Sequence, residues 1–155
     1  MYERILVPID GSPTAARGLE EAVKLGKLTG ARLCLIHVVD ELSFALSASY
    51  GMTYTDDILT VLREAGADIL SKGKAQVQAS GLEVDGVLSD SFAGRVCDLV
   101  IAQAATWKAD LIVLGTHGRR GVGRLFMGSD AESIVRSATV PVLLLRADPS
   151  VSAAG

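Results

Sequence analysis

Apolar and polar positions along the chain alternate between a strand period and a helix period. Arg4 to Ile9 reads as a first strand. Ser12-Pro13 then reads as a helix N-cap followed by proline at the first helical position. Ala15, Leu19, Ala22, Val23 and Leu25 supply an inward face to about Thr29, and Gly30 ends the helix. Arg32 to Val39 is a second strand. Asp56 opens a long helical pattern in which Leu59, Leu62, Ala65 and Ile69 share a face, ending near Gly81. Gly66 and Gly73 interrupt that helix, at a cost in propensity, and permit close packing on a sheet. Leu82 to Leu88 alternates like a strand, and Ala93 to Trp107 reads as helix. Leu111 to Leu114 is an unbroken apolar run, as expected of a central strand covered on both faces. A last helix follows Gly128 and Ser129 with Ile134, Val135 and Ala138 on its apolar face, and Pro141 to Leu145 is the final strand. Five strands alternating with four helices predict an α/β fold, a three-layer sandwich around a parallel sheet.

The segment Leu111 to Asp130 holds the densest candidate chemistry. A buried-strand pattern runs into glycines at 115, 118, 121, 123 and 128 and then into a helix. Gly115 and Gly118 are expected to let the turn use positive φ and to let main-chain atoms approach a ligand. The helix start at Gly128 and Ser129 offers free N–H groups, a positive dipole end and a hydroxyl, which together favour an anion. An anion there is expected to bond Gly118 on one side and Gly128 and Ser129 on the other. The P-loop lysine and following hydroxyl are missing, and GxGxxG fails because Phe126 stands at its last position.

The spacing that is present, Gly-x2-Gly-x9-Gly-Ser, resembles the ATP-binding signature of the universal stress protein family. The resemblance extends from about Tyr2 to Arg146. ILVPIDGS at Ile5 to Ser12 is similar to the family's first strand and acidic turn, LIHVVD at Leu35 to Asp40 to its second strand, and PVLLL at Pro141 to Leu145 to its last. The resemblance implies a Rossmann-like, adenine nucleotide alpha hydrolase-like fold with strand order 3-2-1-4-5. Ligands in such sheets bind beyond the carboxyl ends of strands, where strand order reverses. Carried over, the resemblance puts Pro8 and Asp10 near ribose and base and the Val38 backbone against adenine. Leu114, Gly115 and Gly118 would line the ribose and first phosphates, and Gly128, Ser129 and the amide of Asp130 would hold the outer ones. It implies ATP, or ADP or AMP, with Mg2+ as the cofactor. It also implies a homodimer formed by antiparallel pairing of the last strand with its copy.

Several of these residues also have plainer readings. Asp10 belongs to Asp-Gly-Ser-Pro, a good turn and cap sequence with or without a ligand. Asp130 departs from the uncharged residue of many nucleotide-binding members. Beside a triphosphate it repels unless a cation intervenes, yet an acidic residue in a first helical turn is stabilising in itself. His37, inside an apolar strand, reads as a structural histidine, because no nucleophile and orienting acid can be placed beside it. His117 and arginines 119, 120 and 124 are either phosphate contacts or solvated loop residues. Asp40 to Thr55 keeps Phe44, Leu46, Tyr50, Met52 and Tyr54 without a clean period and is expected to cover the nucleotide or pack on a partner subunit.

Composition narrows the class without choosing within it. The 155 residues suit one domain, placed at 1–146 with a frayed tail at 147–155. A formal charge of -3 argues against a nucleic-acid footprint. No apolar run approaches a membrane span, and MYERILVPID enters strand without a signal peptide's regions, so a cytoplasmic location is expected. Cys34 and Cys97 form no CxxC and read as small buried hydrophobes. The function expected is that of a nucleotide-dependent regulator acting through its dimer and an unidentified protein partner, and not of an enzyme. The alternatives are a slow ATP hydrolase, with a metal held by Asp10 or Asp130, and a dimeric interaction module that binds no nucleotide.

Overall fold

The computed structural model describes residues 1–40, 56–116 and 127–146. The predicted segments of 41–55, 117–126 and 147–155 lie outside them, and with these Gly118, His117, the three arginines and the apolar loop residues.

Five parallel strands, β1 (Arg4–Pro8), β2 (Arg32–Val39), β3 (Val84–Asp90), β4 (Leu111–Gly115) and β5 (Val142–Leu145), form one sheet in the order β3-β2-β1-β4-β5. The helices α1 (Pro13–Thr29), α2 (Asp56–Ala79), α3 (Val96–Trp107) and α4 (Ser129–Ser137) cover both faces. Alternate strand residues divide the interior. Ile5, Val7, Leu33, Leu35, Leu111 and Val113 pack under α1 and α2 with Leu19, Ala22, Val23, Leu70 and Val77. Leu6, Cys34, Ile36, Ile112 and Leu114 pack under α3 and α4 with Val100, Ala104, Ala131 and Ile134. Ile5, Leu6 and Val7 are fully buried, and Leu111 to Leu114 are all buried, which is the two-sided covering that the unbroken apolar run of β4 predicts. Each such side chain stabilises the fold by roughly 1.5–3 kcal/mol of transfer free energy, so the middle of the sheet is a rigid base for its carboxyl edge.

Local sequence sets the connections. The Ser12 hydroxyl accepts the Ala15 amide at 3.2 Å, Pro13 occupies the first turn of α1, and Gly30 closes it at φ 75°. At the amino edge of the sheet, the Trp107 indole donates to Asp85 at 2.9 Å and Arg32 donates to the other oxygen of the same carboxylate at 2.8 Å. The Arg4 guanidinium lies 4.6 Å from the Trp107 ring centre.

Several boundaries and two helix faces differ from the sequence expectation. On α2 Ala65 is exposed, and the buried line is Gly66, Leu70, Gly73 and Val77. β1 ends at Pro8, although Ile9 still donates to Ile36 O at 2.9 Å. β3 begins two residues later than expected and runs on to Asp90, because β2 offers partners as far as Val39 and an edge strand tolerates Ser89 and Asp90. A short 3-10 turn, Ser91–Ala93, and Gly94 at φ 149° delay α3 to Val96. Val135 is 39% exposed, because the short α4 buries the line of Ala131 and Ile134 and leaves the next position outside it.

Candidate functional site

The reversal of strand order falls at β1, whose neighbours are β2 on one side and β4 on the other. The ends of these three strands put Pro8 to Asp10, Val38 and Gly115 along one crevice edge. Sequence alone left their adjacency to the family resemblance, and the pairing establishes it. Asp10 turns the chain out of β1: its Oδ1 accepts the Ser12 amide at 2.9 Å, while Gly11 takes φ 79°. The turn and cap reading of Asp10 is therefore real, and it aims the carboxylate at the carboxyl edge of the sheet.

On the β2 side, the half-buried Val38 turns its side chain toward the α3 layer. Its backbone groups point toward β1, in phase with Ile36 O, which accepts from Ile9 N. β1 has ended at that level, so the Val38 N–H and C=O face the crevice. His37, on the other face of the sheet, is buried, and its Nδ1 lies 2.8 Å from Ile9 O. A carbonyl only accepts, so Nδ1 carries the hydrogen. The expectation of a structurally engaged histidine holds.

On the β4 side, the sequence reading of Gly115 needs correction. Its φ is not positive, and a Cβ there would stand 2.7 Å from the Thr14 Cβ. The glycine is required by packing of the α1 start on the strand end. Thr116, which the sequence reading passed over, ties the next part of the site together. Its N–H donates to Leu145 O at 2.8 Å and its carbonyl accepts the Gly128 amide at 2.7 Å. Both bonds are made by its backbone, so its residue type carried no signal of them. This bond also changes the expected anion cradle, because the Gly128 N–H is already engaged. Within α4 the first return bond is Glu132 N to Gly128 O at 2.9 Å, so the amides before it, including those of Ser129 and Ala131, have no carbonyl behind them in the helix. Thr116 thus holds the amino end of α4 beside the carboxyl end of β4.

Ser129 and Asp130 are exposed at that helix start, and Asp130 and Glu132 place acidic groups in its first turn. Across from them, the Arg95 guanidinium is held above its ordinary range by its hydrogen bond to Asp98, with a smaller contribution from Asp130. Asp130 therefore stands in the field of α3 as well as at its own helix end. Among the described residues no group of three His, Cys, Asp or Glu side chains is placed to hold a metal. Both cysteines are buried, and burial pushes the Cys34 thiol up to about 11, in keeping with a packing role. None of the described helices is long and apolar enough to cross a membrane.

Comparison with known proteins gives a consistent result. The model of the universal stress protein family matches residues 1–146. A universal stress protein of Methanocaldococcus jannaschii is 30% identical over 146 residues, spanning 94% of this chain and 83% of that protein. The solved structure of a hypothetical protein whose biochemical function was assigned from its structure superposes with a TM-score of 0.81 at 23% identity, covering 96% of this chain and 98% of that one. A universal stress protein from Archaeoglobus fulgidus in complex with dAMP superposes at 0.65 with 23% identity, covering 93% and 98%. A universal stress protein in complex with cAMP superposes with a TM-score of 0.67 at 20% identity, covering 93% of this chain and 97% of that one.

Proposed function

The chain belongs to the universal stress protein family, and from that premise we propose that it binds ATP in the crevice at the ends of β1, β2 and β4 and acts as a nucleotide-dependent regulator. The observation that carries this reading is the pairing of two complementary features on one edge. The Val38 N–H and C=O form a donor and acceptor pair that fits the N1 and N6 edge of adenine. The amino end of α4, held to β4 through Thr116, fits phosphate. Relatives sharing the fold were solved with adenine nucleotides, dAMP in one and cAMP in the other, which supports the ligand class.

In this reading Pro8 and Asp10 contact the ribose, and Leu114, Gly115 and Gly118 back the ribose and inner phosphates. Ser129 and the first amides of α4 take the outer phosphates. Gly128 contributes its lack of a side chain, its amide being engaged by Thr116. Mg2+ would lie between the phosphates and Asp130, offsetting the repulsion between them. The protein is read as a binding protein and not a catalyst: His37 is buried on the far face of the sheet, the Asp10 carboxylate accepts the Ser12 amide, and Asp130 is read as the partner of Mg2+.

Regulation is assigned to assembly. Among the described residues β5 is an edge strand bonded only to β4, and its four residues are all half-buried. An apolar edge of this kind pairs readily with its own copy, which gives a twofold homodimer next to Thr116 and the nucleotide loop.

The test is to denature freshly purified protein and identify any released nucleotide by mass spectrometry, with Gly118→Val and Ser129→Ala beside it. ATP released by the native protein and lost from Gly118→Val supports the reading. No nucleotide in any sample, together with no heat on titration with magnesium and ATP, overturns it in favour of an interaction module.

A further inference from the structure

The parallel ladder between β1 and β2 departs from its own pattern at one bond. The register Pro8↔Ile36 continues with Ile9 opposite His37, and Ile9 N donates to Ile36 O at 2.9 Å. The next ladder bond would run from Val38 N–H to Ile9 O. That carbonyl is held instead by the His37 imidazole at 2.8 Å, and among the described residues no backbone bond joins Val38 to Ile9. The imidazole can lie there because α2 passes close without a side chain. A Cβ on Gly66 would stand 2.7 Å from the His37 Cδ2.

We propose that His37 is a positioning residue for base recognition: by occupying the Ile9 carbonyl it keeps the Val38 N–H out of the sheet and available, beside the Val38 C=O, to read the edge of adenine. The inference rests on the nucleotide reading above and deepens it, since it names the group that makes the crevice selective for one base. Adenine presents an acceptor at N1 and a donor at N6, which match the N–H and C=O of Val38. Hypoxanthine presents N1–H and a carbonyl, which oppose them. A site built to hydrogen-bond one pattern rejects the other because its own polar groups are left unpaired. Without the imidazole, Ile9 O is open to the Val38 N–H, the ladder gains one bond, and the edge loses its donor.

The experiment compares wild-type protein with His37→Leu, which fills the space without a donor, and His37→Asn, whose side-chain amide restores a donor near the place of Nδ1. Amide hydrogen exchange at Val38 is read by NMR in nucleotide-free protein, and the affinities for ATP and ITP are measured by calorimetry. The expected result is rapid Val38 exchange in wild type and His37→Asn and exchange slowed about 10-fold or more in His37→Leu. The ATP preference over ITP should fall about 10-fold in His37→Leu and return in His37→Asn, a fold-change typical of losing one hydrogen bond. A merely structural role for His37 would weaken both nucleotides alike and leave their ratio unchanged. Val38 exchange unchanged in His37→Leu, with ATP binding intact, overturns the role of His37 alone. Wild-type protein that binds neither ATP nor ITP overturns the nucleotide reading, and the use of this edge falls with it, while Val38 exchange still reports whether His37 holds the ladder open.

Discussion

Gly115, the last residue of β4, lies so close to Thr14 in the first turn of α1 that a Cβ on it would stand 2.7 Å from the Thr14 Cβ and 2.8 Å from its carbonyl carbon. The strand end and the helix start are thereby locked together, and the Ser12 cap and Asp10 turn that precede Thr14 are placed against β4. Gly115→Ala should destabilise the nucleotide-free protein by about 1–3 kcal/mol, the usual cost of overpacking. Thr14→Gly should not rescue it, because the backbone atoms of residue 14 remain in the way. Urea denaturation of the two variants and their combination checks this, and an unperturbed Gly115→Ala would refute the packing account.

Ser129 and Asp130 are exposed, so their replacement should separate binding from stability. Ser129→Ala should shift the unfolding free energy by no more than about 0.5 kcal/mol. It should weaken ATP by roughly 10-fold, as loss of a hydrogen bond to a charged group does. Asp130→Asn should tighten ATP in the absence of magnesium and shrink the effect of adding it, with a stability loss of about 0.3–1 kcal/mol from the helix dipole. Calorimetry with and without EDTA reads both. Metal dependence unchanged in Asp130→Asn would remove Asp130 from the phosphate end.

Cys34 is fully buried, and burial raises its thiol from 9.0 to about 11. An acid whose folded value is raised keeps its proton in the native state while the unfolded chain loses it. Stability contributed here should therefore be level below pH 9 and decline as pH rises from about 9 to about 11. The decline should be smaller in Cys34→Ala. At pH 8 a thiol reagent should label Cys34 only as fast as the protein unfolds, and rapid labelling of native protein would contradict its burial.

Along β5, Pro141 O accepts from Ile112 of β4 and Leu145 O from Thr116 just past its end, so the backbone groups of Val142 and Leu144 face away from β4. Val142→Pro removes one outward N–H at the first residue of an edge strand, where proline is tolerated. It should keep the fold by circular dichroism and shift the dimer to monomer by light scattering. A wild-type monomer at micromolar concentration would defeat the assembly outright.

The fold was largely legible because its signals are local. Ser12-Pro13 and Gly30 delimit α1, and the unbroken apolar run of β4 marks a strand covered on both faces. β3 was misplaced by two residues because an edge strand accepts polar residues wherever its neighbour offers bonds. The crevice was legible as a motif and not as a mechanism. Gly115 is a glycine on account of Thr14, a residue about a hundred positions away, and no local pattern carries that information. The bonds made by Thr116 and His37 were hidden for the same reason, since their partners Gly128, Leu145 and Ile9 are supplied by other parts of the fold. Gly118 and the arginines near it lie outside the described residues, so their part in the site stays with the sequence signature.

Titration of 15N-labelled protein with magnesium and ATP tests the central claim most directly, because it reads every backbone amide at once. Saturable shifts at the amides of Val38, Ser129 and Ala131, with none at Asp85 or the Trp107 indole on the opposite edge, are predicted. No shifts at millimolar ATP, or shifts confined to that opposite edge, would contradict a nucleotide site at the ends of β1, β2 and β4.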